Sequence, residues 1–325
     1  MSWTSTVDTA LDRTVALGYG NVGLAIRRRL PDWPADPPRM DGKVVLITGT
    51  ASGLGLAAAR GFARLGATVH ALARDEERAA EAVAQVRSGL PAADVQPAVC
   101  DVASLASLQE FTDAFCAAHE RLDVLVNNAG VMPDEREESP DGVELTFATQ
   151  VLAPFVLIDR LQELLKASAP SRVINVSSGG AYDQSVPADD LETDDPGDYS
   201  PKKVYARTKR EQIVITEQWA ERLRGSGVVV HAMHPGWADT KGVQSWMPVF
   251  RALTRPIIRT PAQGADTIVW MGGAPEPTTS TGEFWHDRRA RPTHYAIGAS
   301  DDSAQERAAV WKHCTELLER SVRVA

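Results

Sequence analysis

Tyr205 and Lys209 have the types and spacing to move a proton. Four residues apart on a helix, the two side chains share one face, one turn from each other. Tyr182, Tyr199 and Tyr205 follow the apolar run that ends at Ser177-Ser178, and of these only Tyr205 has a lysine at that distance. A phenol that gives and takes a proton near neutral pH must have its pKa lowered from about 10 by about 3 units, a cost of about 4 kcal/mol. One cation about 5 Å away contributes about 3 kcal/mol at an effective dielectric of 20, so Lys209 nearly suffices. By itself the spacing is common, and a solvated helix with a Tyr and a Lys would show it too.

A second stretch could hold phosphate. Val44-Val45-Leu46-Ile47-Thr48 is an apolar run with the character of a central parallel strand covered on both faces. It stops at Gly49-Thr50-Ala51-Ser52-Gly53-Leu54-Gly55 and continues as an alanine-rich helix pattern. Gly49 allows a sharp turn, and Gly53 and Gly55 remove the Cβ atoms that would keep the backbone from a pyrophosphate. The phosphate would sit on free N–H groups at the positive end of the helix. The spacing G-x-x-x-G-x-G is neither the P-loop nor the usual dinucleotide pattern. The next strand ends Ala73-Arg74-Asp75, where a dinucleotide fold meets the adenosine ribose. Neutral Ala73 followed by Arg74 favours a 2′-phosphate, hence NADP(H) over NAD, since a guanidinium can grip phosphate with two parallel bonds. The competing reading pairs Arg74 with Asp75 or Glu77 at a helix start.

Elements must position these residues. From Val44 onward strand-like and helix-like segments alternate, which implies an α/β fold: a Rossmann-like, doubly wound parallel sheet flanked by helices. The strands are expected at Val44–Thr48, Thr68–Ala73, Val95–Cys100, Val124–Asn127, Arg172–Ser177, Val228–Met233 and Glu283–Trp285. Residues 303–322 form an amphipathic terminal helix, with Ala308, Trp311, Cys314 or Thr315, and Leu318 on the docking face. Residues 1–40 are a helical extension with a Pro-rich linker, read as an appendage to a single domain over 41–325. Its pattern Val15 to Ile26, followed by Arg27-Arg28-Arg29, is glycine-broken and too short to span a bilayer. It reads either as an interfacial helix giving peripheral membrane contact through residues 1–30 or, preferred, as a helix packed on the domain.

The chain has 325 residues, 43% of them hydrophobic, and a net charge of −9. A sizeable core follows, and a nucleic-acid footprint does not. Cys100, Cys116 and Cys314 lack metal-ligand spacing and read as free thiols of a cytoplasmic protein. His231 and His234 have no ligand partners in the sequence, so no metal is assigned. The acidic insert Asp183, Asp189, Asp190, Glu192, Asp194, Asp195 and Asp198 has no EF-hand spacing and reads as a solvated loop.

Taken in order, Thr48-Gly49-x-x-x-Gly53-x-Gly55, Asp101, Asn127-Asn128-Ala129-Gly130, Ser178, Tyr205-x-x-x-Lys209 and Pro235-Gly236-x-x-x-Thr240 resemble the short-chain dehydrogenases/reductases over about residues 41 to 290. Ser177-Ser178-Gly179-Gly180 and Met233-His234-Pro235-Gly236-Trp237-Ala238-Asp239-Thr240 are similar to the retinol-dehydrogenase-like branch. The resemblance implies hydride transfer between a nicotinamide and a carbonyl or alcohol. Tyr205 would be the proton donor, with Lys209 on the nicotinamide ribose and the positive nicotinamide completing the tyrosine shift. Ser178 would bond the substrate oxygen. Thr48, Gly49, Ser52, Gly53, Leu54 and Gly55 would cradle the cofactor, with Arg74, Asp101 and Val102 on the adenosine side. Asn128, Ala129 and Gly130 would meet the ribose, and Pro235, Gly236 and Thr240 the carboxamide side. Asn127 reads as a bridge between strands.

One position departs. The fourth catalytic member in that family, an Asn, aligns with Gln150, and Pro154 follows four residues on. Pro154 has no N–H, so the Gln150 carbonyl is expected to stay free to hold a relay water. Trp246, Met247, Pro248, Val249 and Phe250 lie where the family covers its substrate, and an apolar lid implies a lipophilic carbonyl or alcohol; packing beneath a loop is the alternative. The family also implies a homodimer through the helices carrying Gln150 and Tyr205, unless the extension blocks that face. The rival function is an NADP-binding sensor or partner-binding protein with little catalysis.

Overall fold

The computed structural model describes residues 2–246, 248–294 and 302–324, so Met247 of the expected lid lies outside the described residues. The strands are β1 Val44–Thr48, β2 Thr68–Ala73, β3 Val95–Val99, β4 Val124–Asn127, β5 Ser171–Val176, β6 Val228–Met233, β7 Phe284–His286 and β8 Arg289–Arg291. They form one sheet in the order β3-β2-β1-β4-β5-β6-β7-β8, parallel except for β8. Order reverses between β1 and β4, the switch point of a Rossmann-like fold, where ligands bind at the carboxyl ends of the strands. Pro97 sits in β3 because that strand is an edge and one missing donor is tolerated.

Alternation along the strands feeds two apolar layers. Leu46, Leu72, Leu125 and Val173 face α6 (Leu105–Ala118), α8 (Ala153–Ala167) and α9 (Pro201–Arg222). Val45, Ile47, Val69 and Val126 face α4 (Gly53–Arg64), α5 (Glu76–Gly89) and α12 (Pro261–Gly273). Cap residues fix where several helices begin: Asp75 accepts from Arg78 N at 2.9 Å, and Thr260 and Gln263 form a capping box on α12. α13 (Ala304–Val324) lies on α9, with Trp311 against Phe155 of α8 and Trp219 of α9 at 4.7 and 5.0 Å between ring centroids. Its inward side chains are Val310, Cys314 and Leu317, with Trp311 and Leu318 half-buried against the same core as expected, while Ala308 is exposed; Arg222 lies over the Trp311 ring.

β3 ends one residue early at Val99, and both ends of β5 and of β7 shift by one residue, to Ser171–Val176 and Phe284–His286. β8 has no counterpart in the sequence reading. It closes a hairpin whose two turn residues, Asp287 and Arg288, both have positive φ, 49° and 57°, the geometry usually given to Asn-Gly.

The extension is sewn into the body. Its helices are α1 Trp3–Arg13, α2 Val15–Gly18 and α3 Asn21–Arg27. Arg27, fully buried, donates to Asp8 (2.8 Å), Asp287 (2.7 Å) and Gly18 O (2.8 Å). Arg259 grips Asp287 through two bonds of 2.6 and 2.8 Å, and Arg291 grips Asp8 at 2.7 and 2.9 Å. With Asp12 beside Arg27 and Arg291, three arginines and three aspartates share one buried, charge-balanced knot. The Pro-rich stretch is also docked: Trp270 Nε1 donates to Ala35 O at 3.0 Å, and Arg288 reaches Pro34 O and Asp36. The extension is packed on the domain, because ionic partners over 250 residues away in sequence hold it. Among the described residues no helix is long and apolar enough to cross a membrane.

Candidate active site

The ends of β1 and β4 are tied together by side chains. Thr48 Oγ1 accepts from the backbone N–H of Asn128 and of Ala129, both at 2.9 Å, and Asn128 Nδ2 donates to Thr48 O and Gly49 O at 2.9 and 3.2 Å. A Cβ on Gly55 would stand 2.3 Å from Gly49 O and 2.6 Å from Asn128 Nδ2. Only glycine lets α4 come this close to the strand it follows. Gly49 (φ 72°) and Gly53 (φ 59°) take the left-handed region, and a Cβ on Gly53 would reach Thr240 at 3.3 Å. Ser52 precedes α4 with no side-chain cap, so the first N–H groups of the helix have no side-chain acceptor. The turn thus fits a pyrophosphate, with the Thr240 loop facing Gly53. Leu54 packs inward against the missing Cβ of Gly264.

At the β2 end Arg74 is exposed, and Asp75 is occupied by capping α5 and pairing with Arg78. Asp75 is thus engaged first by its helix and Arg78, with Arg74 near enough to help hold its carboxyl down. Asp101 is half-buried, its carboxylate accepting from Ala103 N at 3.1 Å, with Val102 half-buried beside it. Asn127 Nδ2 donates to Asn175 Oδ1 at 2.8 Å and bridges β4 to β5.

Beyond β5, Ser178 begins a 3-10 turn and its Oγ accepts from Gly180 N at 3.2 Å. α9 lays Tyr205 and Lys209 alongside. Tyr182 and Tyr199 are committed elsewhere, to Pro292 O and Pro133 O. Burial pushes the Tyr205 hydroxyl up to about 12, and a hydrogen bond to Ser178 pulls the other way. Burial takes Lys209 down to about 7; its Nζ lies 5.7 Å from the Tyr205 ring centre and donates to Val176 O at 2.8 Å and Gln212 Oε1 at 3.2 Å. The sequence arithmetic had the cation lowering the phenol. In the protein without bound nucleotide, desolvation penalises both charges and keeps the phenol protonated, ready to donate.

Gln150 lies in a π turn, Ala148–Leu152, between the short α7 (Leu145–Phe147) and α8. Ala153 N–H reaches back five residues to Ala148 O. Pro154 follows with no N–H to give, so the turn around Gln150 is short of one backbone donor. The Gln150 side chain offers an acceptor as well: Nε2 donates to Val131 O at 2.9 Å, and Oε1, beside Gly130, is buried without a hydrogen-bond partner among the described residues.

The lid divides. α10 (Lys241–Trp246) brings Trp246 to 6.3 Å from the Tyr205 ring, and Phe250 of α11 (Pro248–Thr254) packs on Trp237 at 5.0 Å. Val249, at 72% exposure, points away. The acidic insert is partly anchored, since Glu192 pairs with His313 of α13 at 2.6 Å. Among the described residues no cluster of His, Cys, Asp and Glu could hold a metal. Sequence reasoning missed Gln212, Arg259, Asp287 and Tyr19, the last of which lies against His234 and Trp237.

The family described as short chain dehydrogenase matches residues 43–188. Dehydrogenase/reductase SDR family member 12 of Bos taurus is 36% identical over 283 residues, 87% of this chain and 88% of that one. The chain belongs to the short-chain dehydrogenase/reductase family. Retinol dehydrogenase 14 of Homo sapiens is 36% identical over 271 residues, 78% of this chain and 80% of that one. Among solved structures, an uncharacterised protein of Mycobacterium paratuberculosis aligns with a TM-score of 0.67 at 26% identity, covering 87% of this chain and 96% of that one. The RhlG/NADP active-site complex of Pseudomonas aeruginosa aligns with a TM-score of 0.63 at 25% identity, covering 76% and 94%. As a member of this oxidoreductase family, the chain acts on a small molecule with a nicotinamide cofactor of the NAD(P) type.

Proposed function

We propose that this short-chain dehydrogenase/reductase prefers NADP(H) and reduces a lipophilic aldehyde or ketone, or runs the same step in reverse on the alcohol. The observation that carries it is the meeting of Ser178, Tyr205 and Lys209 at the carboxyl edge of the sheet, with Tyr205 held protonated. Exposed Arg74, with Asp75 turned to its helix, supports the 2′-phosphate. The cradle of Thr48, Gly49, Ser52, Gly53, Leu54 and Gly55 would hold the pyrophosphate. Asp101 and Val102 would hold the adenine side, and Asn128, Ala129 and Gly130 the ribose. Pro235, Gly236 and Thr240 would hold the carboxamide side.

When bound, the nicotinamide supplies or takes the hydride. Ser178 bonds the substrate oxygen, and Tyr205 gives it a proton in reduction or takes one in oxidation. Lys209 would then pass a proton to the phenolate, and the unpartnered Gln150 Oε1 would hold a water that leads from the lysine towards solvent. Gln150→Leu should lower turnover about tenfold or more with nucleotide affinity unchanged, consistent with loss of a proton-transfer step. Pro154→Ala should leave turnover unchanged, and the reverse result would return the water to the backbone.

Trp246 beside Tyr205 supports an apolar substrate. Val22 and Ile26 on α3 and Leu253 on α11 are exposed and support peripheral contact with a lipid surface. Co-flotation with liposomes should fall in the triple Ser variant of these residues; equal flotation would remove the contact. Fluorescence titration with NADPH and NADH, then absorbance with apolar aldehydes and ketones, tests the whole reading. NADPH-selective binding with turnover supports it, and tight NADPH binding without turnover on any of them would favour the sensor.

A further inference from the structure

Tyr19 stands where the extension meets the reaction site. Its backbone carbonyl accepts from Trp237 N at 2.9 Å, in the loop that runs from β6 to Thr240. A Cβ on Gly236 would lie 2.5 Å from that same oxygen. The ring packs 4.5 Å from His234, which is itself stacked on His286 at 3.8 Å. On its other side the ring presses on the turn after Ser178: a Cβ on Gly179 would stand 2.6 Å from Tyr19 Cε2. Gly179 has no left-handed φ to explain it, and the approach of Tyr19 does. One residue of the extension therefore touches both the loop that carries Thr240 and the turn that carries Ser178.

The contact is fixed from behind. Gly18 O accepts from Arg27 at 2.8 Å and from Arg259 at 3.1 Å. Arg259 also donates to Pro235 O at 3.2 Å, and its backbone brackets the loop, with Arg259 N to Trp237 O at 2.7 Å and Asp239 N to Arg259 O at 2.8 Å. The guanidinium that clamps the extension thus holds the loop as well. A side chain wedged between two loops and anchored on a buried ionic knot resists displacement of either, because interiors are close-packed and transmit strain.

We propose that Tyr19 is a positioning residue of the active site, setting the β6 loop against the Ser178 turn so that nucleotide and substrate oxygen are held in register. This rests on the reading of the site as a nicotinamide oxidoreductase. It differs from a merely structural strap, which would stabilise the chain without touching either constant of the reaction. Misplacing a reacting group by about 1 Å can cost about a hundredfold in rate.

The test uses the full chain and three variants. Tyr19→Ala removes the wedge, Tyr19→Phe keeps it, and Asp12→Asn loosens the knot where it touches Arg27 and Arg291 but neither loop. Deuterium uptake of backbone amides 235–240 is followed without nucleotide, alongside NADPH affinity and turnover. Tyr19→Ala should raise uptake in that segment, weaken NADPH about tenfold and lower turnover at least as much, while Tyr19→Phe, which keeps the ring between the two loops, should lose clearly less on all three counts. Asp12→Asn should leave loop uptake and NADPH affinity unchanged. Unchanged uptake or unchanged constants in Tyr19→Ala, or an equal effect from Asp12→Asn, would overturn the proposal. If wild type bound neither NADPH nor NADH, the oxidoreductase reading would fall by itself, and loop uptake would still decide whether Tyr19 positions the loop.

Discussion

Two side chains on α9 divide the acid–base work, and burial sets both. Tyr205→Phe should lower turnover by about 10²- to 10⁴-fold, the usual reach of a positioned general acid, with NADPH affinity within about threefold by fluorescence titration. Lys209 carries a stability consequence with a definite sign. Its pKa falls to about 7 in the folded chain, well below an unfolded lysine, so between pH 7 and about 10 the unfolded chain binds more protons. Folding stability should rise over pH 7 to 9.5, and urea midpoints of Lys209→Met should show a flatter rise. Tyr205, Lys209 and the three glycines were legible in the sequence because their chemistry depends on local spacing. The sign of the tyrosine shift was not, since desolvation depends on everything packed around the group. Gln150 was legible as a departure, but its buried side-chain acceptor was not, because a π turn leaves no mark in composition.

Close approach governs the elements that hold the site. In Gly55→Ala the new methyl meets the Gly49 carbonyl and Asn128, neither of which can yield, so α4 must shift off β1. A loss of about 1–3 kcal/mol is expected, measured by denaturant unfolding, with nucleotide affinity falling in step because the phosphate cradle moves with the helix. Strands β1, β2, β4 and β6 matched the sequence reading residue for residue, as continuous apolar runs flanked by glycine or charge do. β8 escaped it for a physical reason. Arg289-Ala290-Arg291 has no apolar pattern, and the turn before it uses Asp287 and Arg288 in a conformation that costs an L-residue about 1–2 kcal/mol. Arg259 and Arg27 hold one of those residues and Asp266 the other, and none of these partners is a sequence neighbour.

Across the whole molecule, both ends of the chain are docked by side chains rather than by the sheet. Asp287→Asn leaves Arg259 and Arg27 short of a buried partner and should cost about 3–5 kcal/mol in chemical unfolding. Burial alone would raise the Asp287 carboxyl, yet His286, Arg259 and Arg27 hold it far below the usual range. Its contribution is therefore complete above about pH 4 and lost as pH falls further. α13 covers Phe155 and Trp219, on the helices where the family resemblance suggested a homodimer. Deleting residues 302–324 should expose that face and raise the mass measured by light scattering. The knot also sets an order of events. Asp8 and Arg27 leave the ribosome first, and Arg259, Asp287 and Arg291 follow more than 200 residues later. At about 5–20 residues per second, the early segment waits on the order of ten seconds or more for its counter-charges. A nascent or prematurely ended chain carries Asp8 and Arg27 without those late partners, so closure of the knot reports that synthesis has passed Arg291.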